Sequence, residues 1–304
     1  MNHLVTIGDL SRDRIEGLLD LAAELDQPEK KHALSHLLRG YVVATMFFEA
    51  STRTRLSFES AALRLGAGVV GFAEADTTST KKGETLEDTV RMCMAYGDVL
   101  VLRHPEIGSA ARAAKVASVP VVNGGDGANE HPTQTLVDLY TIRKAFGKVD
   151  GLRIAFVGDL LYGRTVHSLL AALAKYTNIT ATLVGPKSLA LPESHRRHAT
   201  LHGIDLRDAD RLEDAIPEVD LVYMTRIQKE RFPPGAADVG GSYRLDAKML
   251  GAAKKELRVL HPLPRVDEIA TDVDATPHAL YFPQAANGVP VRQAVLLSVL
   301  GVKP

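Results

Sequence analysis

The sequence predicts an α/β protein of two doubly wound parallel-sheet domains with helices on both faces, and three observations carry that reading. Short β-prone apolar runs alternate with stretches of helical apolar spacing along most of the chain, which is the pattern of strand–helix–strand units. Runs such as Tyr41 to Phe48 and Asp98 to Leu102 are of the buried type, as strands covered on both faces require. The chain has 304 residues and is 45% hydrophobic, which exceeds what one core usually holds, so two domains are expected.

Composition narrows the function classes. A formal net charge of -1 argues against bulk attraction to nucleic acid or a membrane surface, while permitting local basic pockets. The single cysteine, Cys93, excludes an internal disulfide framework and a cysteine-rich metal site. The start from Met1 to Leu10 lacks a basic flank followed by an apolar core, and no apolar run approaches a membrane span. A cytoplasmic protein is the expectation.

In chain order, Leu10 to Leu25 has helical spacing behind Asp9 and Ser11. Tyr41 to Phe48 is a strand that runs into Glu49-Ala50-Ser51-Thr52-Arg53-Thr54-Arg55, with Ser51 or Thr52 as the natural helix cap. Leu56, Ser60 and Leu63 then fall on one helical face until Gly66. A helix N-terminus offers free N–H groups and the positive end of the dipole, so hydroxyls and Arg53 placed there form an anion site; the plain alternative is an ordinary cap with solvated arginines. Val69 to Ala73 is a short strand. Glu74 to Glu84, rich in Thr, Ser and Lys, reads as a mobile surface loop. Leu86, Val90, Cys93 and Met94 share the face of the next helix, which makes Cys93 a small core residue rather than a nucleophile.

The strand Asp98 to Leu102 ends at Arg103, whose side chain would project from a carboxyl end, the usual ligand edge of such sheets. Ala110 to Ala117 is a helix and Pro120 to Val122 a strand. A Gly-rich turn, Asn123 to Asn129, leads to His131, Pro132 and Gln134 at another helix start, continued by Leu136, Leu139 and Tyr140. Leu152 to Val157 is a strand closing in Gly158-Asp159-Leu160-Leu161-Tyr162-Gly163-Arg164-Thr165, with a helix from Val166 to Tyr176. That spacing imitates a phosphate loop, but arginine stands where the loop needs lysine, and the glycines of a dinucleotide fingerprint are missing. Further elements follow at Ile179 to Val184, Leu191 to Leu201 and Val219 to Met224, which ends in Thr225-Arg226-Ile227-Gln228. The long segment containing Pro233, Pro234, Gly235, Gly240 and Gly241 reads as a lid. Leu257 to Leu260 is a strand stopped by His261-Pro262-Leu263-Pro264-Arg265, and Val289 to Leu300 is the final helix. His195 and His198 have i, i+3 spacing but no acidic or cysteine companion nearby, so they read as a solvated helix face and no metal site is expected.

Strand ends and helix starts thus deliver Ser51 to Thr54, Lys82, Arg103, His131, Gln134, Arg164, Arg226 and Gln228, a cationic set in a nearly neutral chain. Such a set suits substrates carrying phosphate and carboxylates, and no acidic pair or Ser/His/Asp order points to hydrolysis.

Ser51-Thr52-Arg53-Thr54-Arg55 resembles the carbamoyl-phosphate signature of the aspartate and ornithine carbamoyltransferase family. The resemblance extends through Lys82-Gly83-Glu84-Thr85, His131-Pro132-Thr133-Gln134 and His261-Pro262-Leu263-Pro264-Arg265, covering nearly the whole chain. Pro262 stands where the ornithine branch carries cysteine. Tyr162-Gly163-Arg164-Thr165 and Tyr223-Met224-Thr225-Arg226 likewise resemble the aspartate branch. The resemblance implies a carbamoyl-phosphate-binding domain at residues 1–135 plus 288–304, an aspartate-binding domain at 136–287, and interdomain helices joining them. It implies carbamoyl transfer to L-aspartate in pyrimidine biosynthesis, without cofactor or metal, by a homotrimer with shared active sites; another amino acceptor such as ornithine, or a non-catalytic scaffold, is the alternative.

For residue roles, the resemblance implies that Ser51, Thr52, Arg53, Thr54, Arg103, His131 and Gln134, with Leu263 and Pro264, bind carbamoyl phosphate. Thr54, Arg103 and His131 would serve the carbonyl oxygen, and Lys82 would enter a neighbouring subunit's site. Lys82, Arg164, Arg226 and Gln228 would hold aspartate. Thr78, Ser79 and Thr80 compete for a hydroxyl role in the loop, with Ser79 chosen. Glu49 is expected to orient an arginine, Arg164 or Arg231, on domain closure, and Pro262 to shape the late turn. Regulatory or dihydroorotase-type partner chains, nucleotide regulation, cooperativity and the identity of the proton acceptor stay open.

Overall fold

The computed structural model describes residues 3–30, 33–75, 78–228, 232 and 243–304. Its elements in chain order are α1 (Arg12–Leu25), β1 (Val42–Phe47), α2 (Thr52–Arg64), β2 (Gly68–Phe72), α3 (Leu86–Cys93), β3 (Val99–His104), α4 (Ser109–Val116), β4 (Val121–Asp126) and α5 (Pro132–Phe146). These are followed by β5 (Arg153–Val157), α6 (Arg164–Leu173), β6 (Thr180–Val184), α7 (Glu193–Leu201), β7 (Asp205–Ala209), α8 (Leu212–Ala215), β8 (Leu221–Met224), β9 (Arg258–Leu260), α9 (Tyr281–Ala286) and α10 (Gly288–Leu300). The chain forms two compact units: Met1–Tyr140 with Ala286–Pro304, and Thr141–Ala285.

In the first unit, four parallel strands lie in the order β2-β1-β3-β4. Because side chains alternate along a strand, Ala44, Met46 and Phe48 of the β1 segment and Leu100 and Leu102 of β3 face one side, where they pack with Leu86 and Val90 of α3 and Ala110 and Ala113 of α4. Their neighbours, including Phe47 and Arg103, which sit side by side in the register of β1 and β3, face the other side. The helices α1, α2 and α10 pack together in this unit. Starting from β1, the chain moves outward to β2 and then back across to β3, so the order reverses between β1 and β3. In open parallel sheets, that reversal leaves a crevice at the strand carboxyl ends where ligands bind.

The second unit repeats the scheme with five parallel strands in the order β7-β6-β5-β8-β9. Here the reversal falls between β5 and β8, which pair from Ile154 opposite Leu221 to Val157 opposite Met224. One core cluster unites Ala155 and Val157 of β5, Val222 and Met224 of β8, and Val259 of β9 with Leu212, Ile216 and Tyr281. The helix α6 is buried along nearly its whole length.

Several elements differ from the sequence reading, each for a physical reason. The core face of α2 is Thr54, Phe58, Ala61 and Ala62, not the predicted stripe, and Leu56 and Leu63 are 53% and 62% exposed. Small alanines allow close packing against α10, and the larger leucines are left outside. The strand β4 runs on to Asp126 through a stretch read as a Gly-rich turn. The edge strand β7, sequence DLRDA, was missed because its charged residues hide any apolar period; such charges protect a sheet edge from further pairing. The helices α8 and α9 are too short for periodicity to reveal. His195 is half-buried, its ring stacked on that of buried His167 at 4.1 Å, rather than lying on a fully solvated face. Most of the predicted lid, including Pro233, Pro234, Gly235, Gly240 and Gly241, lies outside the described residues, as do Asp76, Thr77 and Arg231.

Candidate active site

Polar side chains gather at the reversal point of each sheet. In the first unit, Ser51 occupies the cap position of α2 with an extended backbone (φ -159°), and its side chain makes no capping hydrogen bond. The first-turn N–H groups of α2 are therefore not taken by a cap hydroxyl, as they are by Ser11 in α1 and Thr85 in α3. Arg53 stands in that first turn, and burial lowers the pKa of its guanidinium, a partly desolvated cation beside the positive end of a helix dipole. Arg55, two residues on, turns away and pairs with Glu59 at 2.9 Å.

Arg103, 8% exposed, emerges at the end of β3. Its Nη1 donates to the Gly124 carbonyl at 3.3 Å, and its Nη2 lies 3.1 Å from Oε2 of Glu49, at the end of β1. Glu49 lies beside Arg103, whereas the sequence expectation named Arg164 or Arg231, the latter outside the described residues. Thr54, buried in the first turn of α2, brings Oγ1 to 3.4 Å from Nε2 of His131. The other ring nitrogen of His131, Nδ1, lies 3.3 Å from the buried Thr133 hydroxyl. His131 sits immediately before α5, and Gln134 in its first turn donates from Nε2 to Asp138 Oδ1 at 2.8 Å. Thr54, Arg103, His131 and Gln134 thus come from the carboxyl-side ends of β1, β3 and β4.

The loop before α3 carries a short helical turn, Ser79–Lys82. Within it, Thr78 Oγ1 donates to the Ala75 carbonyl at 2.7 Å, and Thr80 Oγ1 reaches the same carbonyl at 3.2 Å. The loop's own backbone engages these two hydroxyls. Ser79 and Lys82 are exposed.

In the second unit, Arg164 heads α6, 8% exposed. The loop in front of it is tied through Asp159, whose carboxylate accepts from the backbone N–H of Tyr162 at 2.9 Å and of Gln228 at 3.1 Å. Thr225 Oγ1 accepts from the Asp159 N–H at 3.0 Å, and the Gln228 side chain donates to the Tyr162 carbonyl at 2.9 Å. Gly158 makes this closeness feasible: its φ is +107°, and a Cβ there would lie 2.2 Å from the Thr225 carbonyl oxygen. The loop that imitates a phosphate loop is therefore a brace between β5 and β8, and it sets Arg164 and Arg226 at the reversal point.

The late proline turn has its own lock. Leu263 has a positive φ of 55°, and the Leu263–Pro264 peptide is cis. The Leu263 N–H donates to His261 Nδ1 at 2.7 Å, which leaves the ring proton on Nε2, 2.6 Å from Glu268 Oε1. Burial pushes the Glu268 carboxyl up, but the hydrogen bonds from His261 and the backbone outweigh it and hold the carboxyl below its ordinary value. Glu268 and Asp159 carry the geometry of their turns, and sequence reading gave neither a role. The only signals were their positions, a few residues from a proline turn or directly after a strand-ending glycine.

Comparisons with known proteins place the chain in a family. The family described as aspartate/ornithine carbamoyltransferase, carbamoyl-P binding domain, matches residues 2–144, and its Asp/Orn binding domain matches residues 150–299. An aspartate carbamoyltransferase catalytic subunit of Thermococcus gammatolerans is 52% identical over 301 residues, covering 98% of this chain and 97% of the relative. One from Chromobacterium violaceum is 52% identical over 299 residues, again covering 98% and 97%. Among solved structures, the catalytic subunit of M. jannaschii aspartate transcarbamoylase superposes with a TM-score of 0.91 at 44% identity, over 99% of this chain and 98% of that one. The Trypanosoma cruzi enzyme in complex with carbamoyl aspartate and phosphate gives 0.89 at 38% identity, over 98% and 95%. Two matched domains, full-length relatives and a shared fold establish that the chain belongs to the aspartate/ornithine carbamoyltransferase family.

Proposed function

We infer that the chain transfers the carbamoyl group of carbamoyl phosphate to the amino group of L-aspartate, giving N-carbamoyl-L-aspartate and phosphate. The observation that carries the reading is one cluster in the first unit: an α2 start without a side-chain cap, Thr54 against His131 at 3.4 Å, and a buried Arg103 held by Glu49. It offers donors for a phosphate and for an adjacent carbonyl oxygen together. Relatives about half identical over nearly the full length are aspartate carbamoyltransferase catalytic subunits, and the T. cruzi enzyme has been solved with the product pair.

The chemistry assigns the roles. As the aspartate amine attacks the carbamoyl carbon, a C–N bond forms and charge builds on the carbonyl oxygen. Thr54, Arg103 and His131 donate to that oxygen, and each preorganised donor of this kind is worth roughly 2.7 to 4 kcal/mol when removed. Collapse breaks the bond to the phosphate oxygen. The leaving phosphate takes the amine proton, so the electron and proton count closes without an added base. Ser51, Thr52, Arg53, Thr54 and Arg103 hold the phosphate. Gln134 and the Leu263–Pro264 turn, with Pro262 shaping it, receive the carbamoyl amino group. Arg164 and Arg226, with Gln228, pair with the two aspartate carboxylates.

The reading extends to a cytoplasmic homotrimer of pyrimidine biosynthesis in which Lys82 and Ser79 serve a neighbouring subunit's site. Two features support it: Thr78 and Thr80 are engaged inside their loop while Ser79 and Lys82 are exposed, and the first unit exposes Leu56, Leu63, Val70, Met92 and Tyr96. Carbamoylation of aspartate against ornithine tests the acceptor, and faster reaction with ornithine would overturn it. Arg53→Ala and Lys82→Ala chains should each be nearly inactive, and mixing the two after dissociation should restore part of the activity. No recovery on reassembly would remove the shared site.

A further inference from the structure

Gln134 raises a chemical question that its place near the substrate does not answer, because an amide presents either an acceptor or a donor depending on which way it is turned. Its neighbour one helical turn on decides. Gln134 Nε2 lies 2.8 Å from Oδ1 of Asp138, and Asp138 is fully buried. Arg292 of α10 is also buried, its guanidinium 5.1 Å from the centre of the Phe58 ring. Burial lowers the Arg292 pKa to about 10, and the negative charge of Asp138 works against that fall. A guanidinium keeps its proton even there, and a cation taken out of water requires an anion close by. Asp138 is the acidic group whose charge acts on Arg292. As a carboxylate it only accepts hydrogen bonds, so the amide must give it the NH2 end, and the carbonyl oxygen of Gln134 is left on the opposite side.

We propose that Asp138, a buried carboxylate in the field of the Arg292 cation, is a positioning residue that fixes Gln134 as a hydrogen-bond acceptor and so selects carbamoyl over acetyl phosphate. The two compounds have nearly the same shape, and differ in that carbamoyl phosphate carries an NH2 where acetyl phosphate has a methyl group. An acceptor aimed at that position rewards the N–H and gives the methyl nothing. A site built to meet a polar group discriminates more sharply than one that only fits a shape. The proposal rests on the assignment of Gln134 to the carbamoyl amino group.

The test uses the intact enzyme. In Asp138→Asn, the side-chain oxygen is drawn to the Arg292 cation, the new NH2 faces Gln134, and the glutamine turns over to present its own NH2 to the substrate. The expected result is a fall of about tenfold in kcat/KM for carbamoyl phosphate, the scale of one lost hydrogen bond, while inhibition by acetyl phosphate stays within about twofold. The double variant Asp138→Asn with Gln134→Glu restores an acceptor. One oxygen of the carboxylate introduced by Gln134→Glu meets the amide NH2 introduced by Asp138→Asn, and the other meets the carbamoyl N–H, with the negative charge moved by one turn. This variant should regain most of the lost preference. Equal losses for both compounds, no loss for either, or no recovery in the double variant would overturn the proposal. If the single variant does not fold, the double variant is read alone, and loss of preference in it counts against the proposal. Gln134→Ala separates the two levels of the argument. An unchanged carbamoyl-to-acetyl preference in that variant defeats the assignment of Gln134 itself. A lost preference in Gln134→Ala together with an unchanged one in Asp138→Asn defeats only the positioning role.

Discussion

Arg103 in the first unit is gripped by its own side chain, between Glu49 and the Gly124 carbonyl, whereas Arg164 in the second unit heads a helix whose preceding loop is gripped through its backbone by Asp159. Both stand at the carboxyl ends of strands flanking a reversal of strand order. Under the proposed roles, the difference follows from what each would meet. Carbonyl-oxygen stabilisation depends on a donor placed to within a fraction of an ångström, and a buried, ion-paired guanidinium supplies that. A carboxylate clamp needs two cations at a set separation, and bracing the loop fixes both with one buried acceptor. Substitutions in the first unit should therefore act directly on chemistry, and those in the second should act through aspartate affinity.

The largest effect expected from this contrast is at Arg103. Arg103→Ala removes a donor to the developing oxyanion and leaves the Glu49 carboxylate facing the phosphate, so kcat should fall by about 10² to 10³. Stopped-flow or steady-state rates at saturating aspartate check it, and a pure KM effect would break the distinction between the units.

Next in size is a pH effect confined to the second unit. His167 Nε2 donates to the Leu160 carbonyl at 2.9 Å, inside the braced loop, and its ring stacks on His195. Burial, then the charge of His195, lowers its pKa to about 4, while the Leu160 carbonyl opposes the fall. The pKa of His195 is lowered in turn, by burial and then by His198. A histidine kept neutral in the fold binds fewer protons than it does unfolded, so stability falls as pH drops below the unfolded pKa near 6.5 and keeps falling until about 4. Spread over that window, the loss amounts to about 3 kcal/mol. Urea unfolding at several pH values should show this slope, and His167→Gln, which keeps a donor near Leu160 without a titrating group, should flatten it.

A smaller effect is expected at Asp159. Asp159→Asn replaces one of two acceptor contacts with a donor facing a donor, which costs about 1 to 3 kcal/mol. The loss should appear as a raised KM for aspartate with the KM for carbamoyl phosphate unchanged; a change in both would show that the brace is not private to the second unit.

The same contrast explains what could be read in the sequence. The first-unit candidates stand out in the sequence because Ser51 to Thr54 are contiguous and lie between an apolar run and a helix, and His131 with Pro132 marks a second helix start. Parallel sheets were legible because buried strands read as unbroken apolar runs. The supports were not. Asp159, Glu268 and Asp138 act by accepting hydrogen bonds whose donors lie up to 69 positions away or one helical turn back, and a lone acidic residue in a sequence looks like any solvated one. The packing face of α2 was misread because alanine contributes little to an apolar pattern yet allows the closest approach. Leu56 and Leu63 supply the pattern without the burial.

The finest discrimination lies within one motif. Arg53 and Arg55 are both part of the Ser51-to-Arg55 signature, and the sequence reading assigns only Arg53 to the phosphate. Arg53 is partly desolvated at the start of α2, and Arg55 is paired on the helix surface with Glu59, four residues on. That pair runs in the less favourable order for a helix, with the cation N-terminal to the anion, and such pairs contribute about 0.2 to 0.5 kcal/mol. Arg55→Ala should therefore shift the unfolding midpoint only slightly and change kcat/KM for carbamoyl phosphate by less than about twofold, the factor that corresponds to so small an energy. Arg53→Ala, two residues away, should abolish most turnover. Comparable losses from both substitutions would show that the whole motif faces the anion, and the surface pairing of Arg55 would then describe only the chain without its ligand.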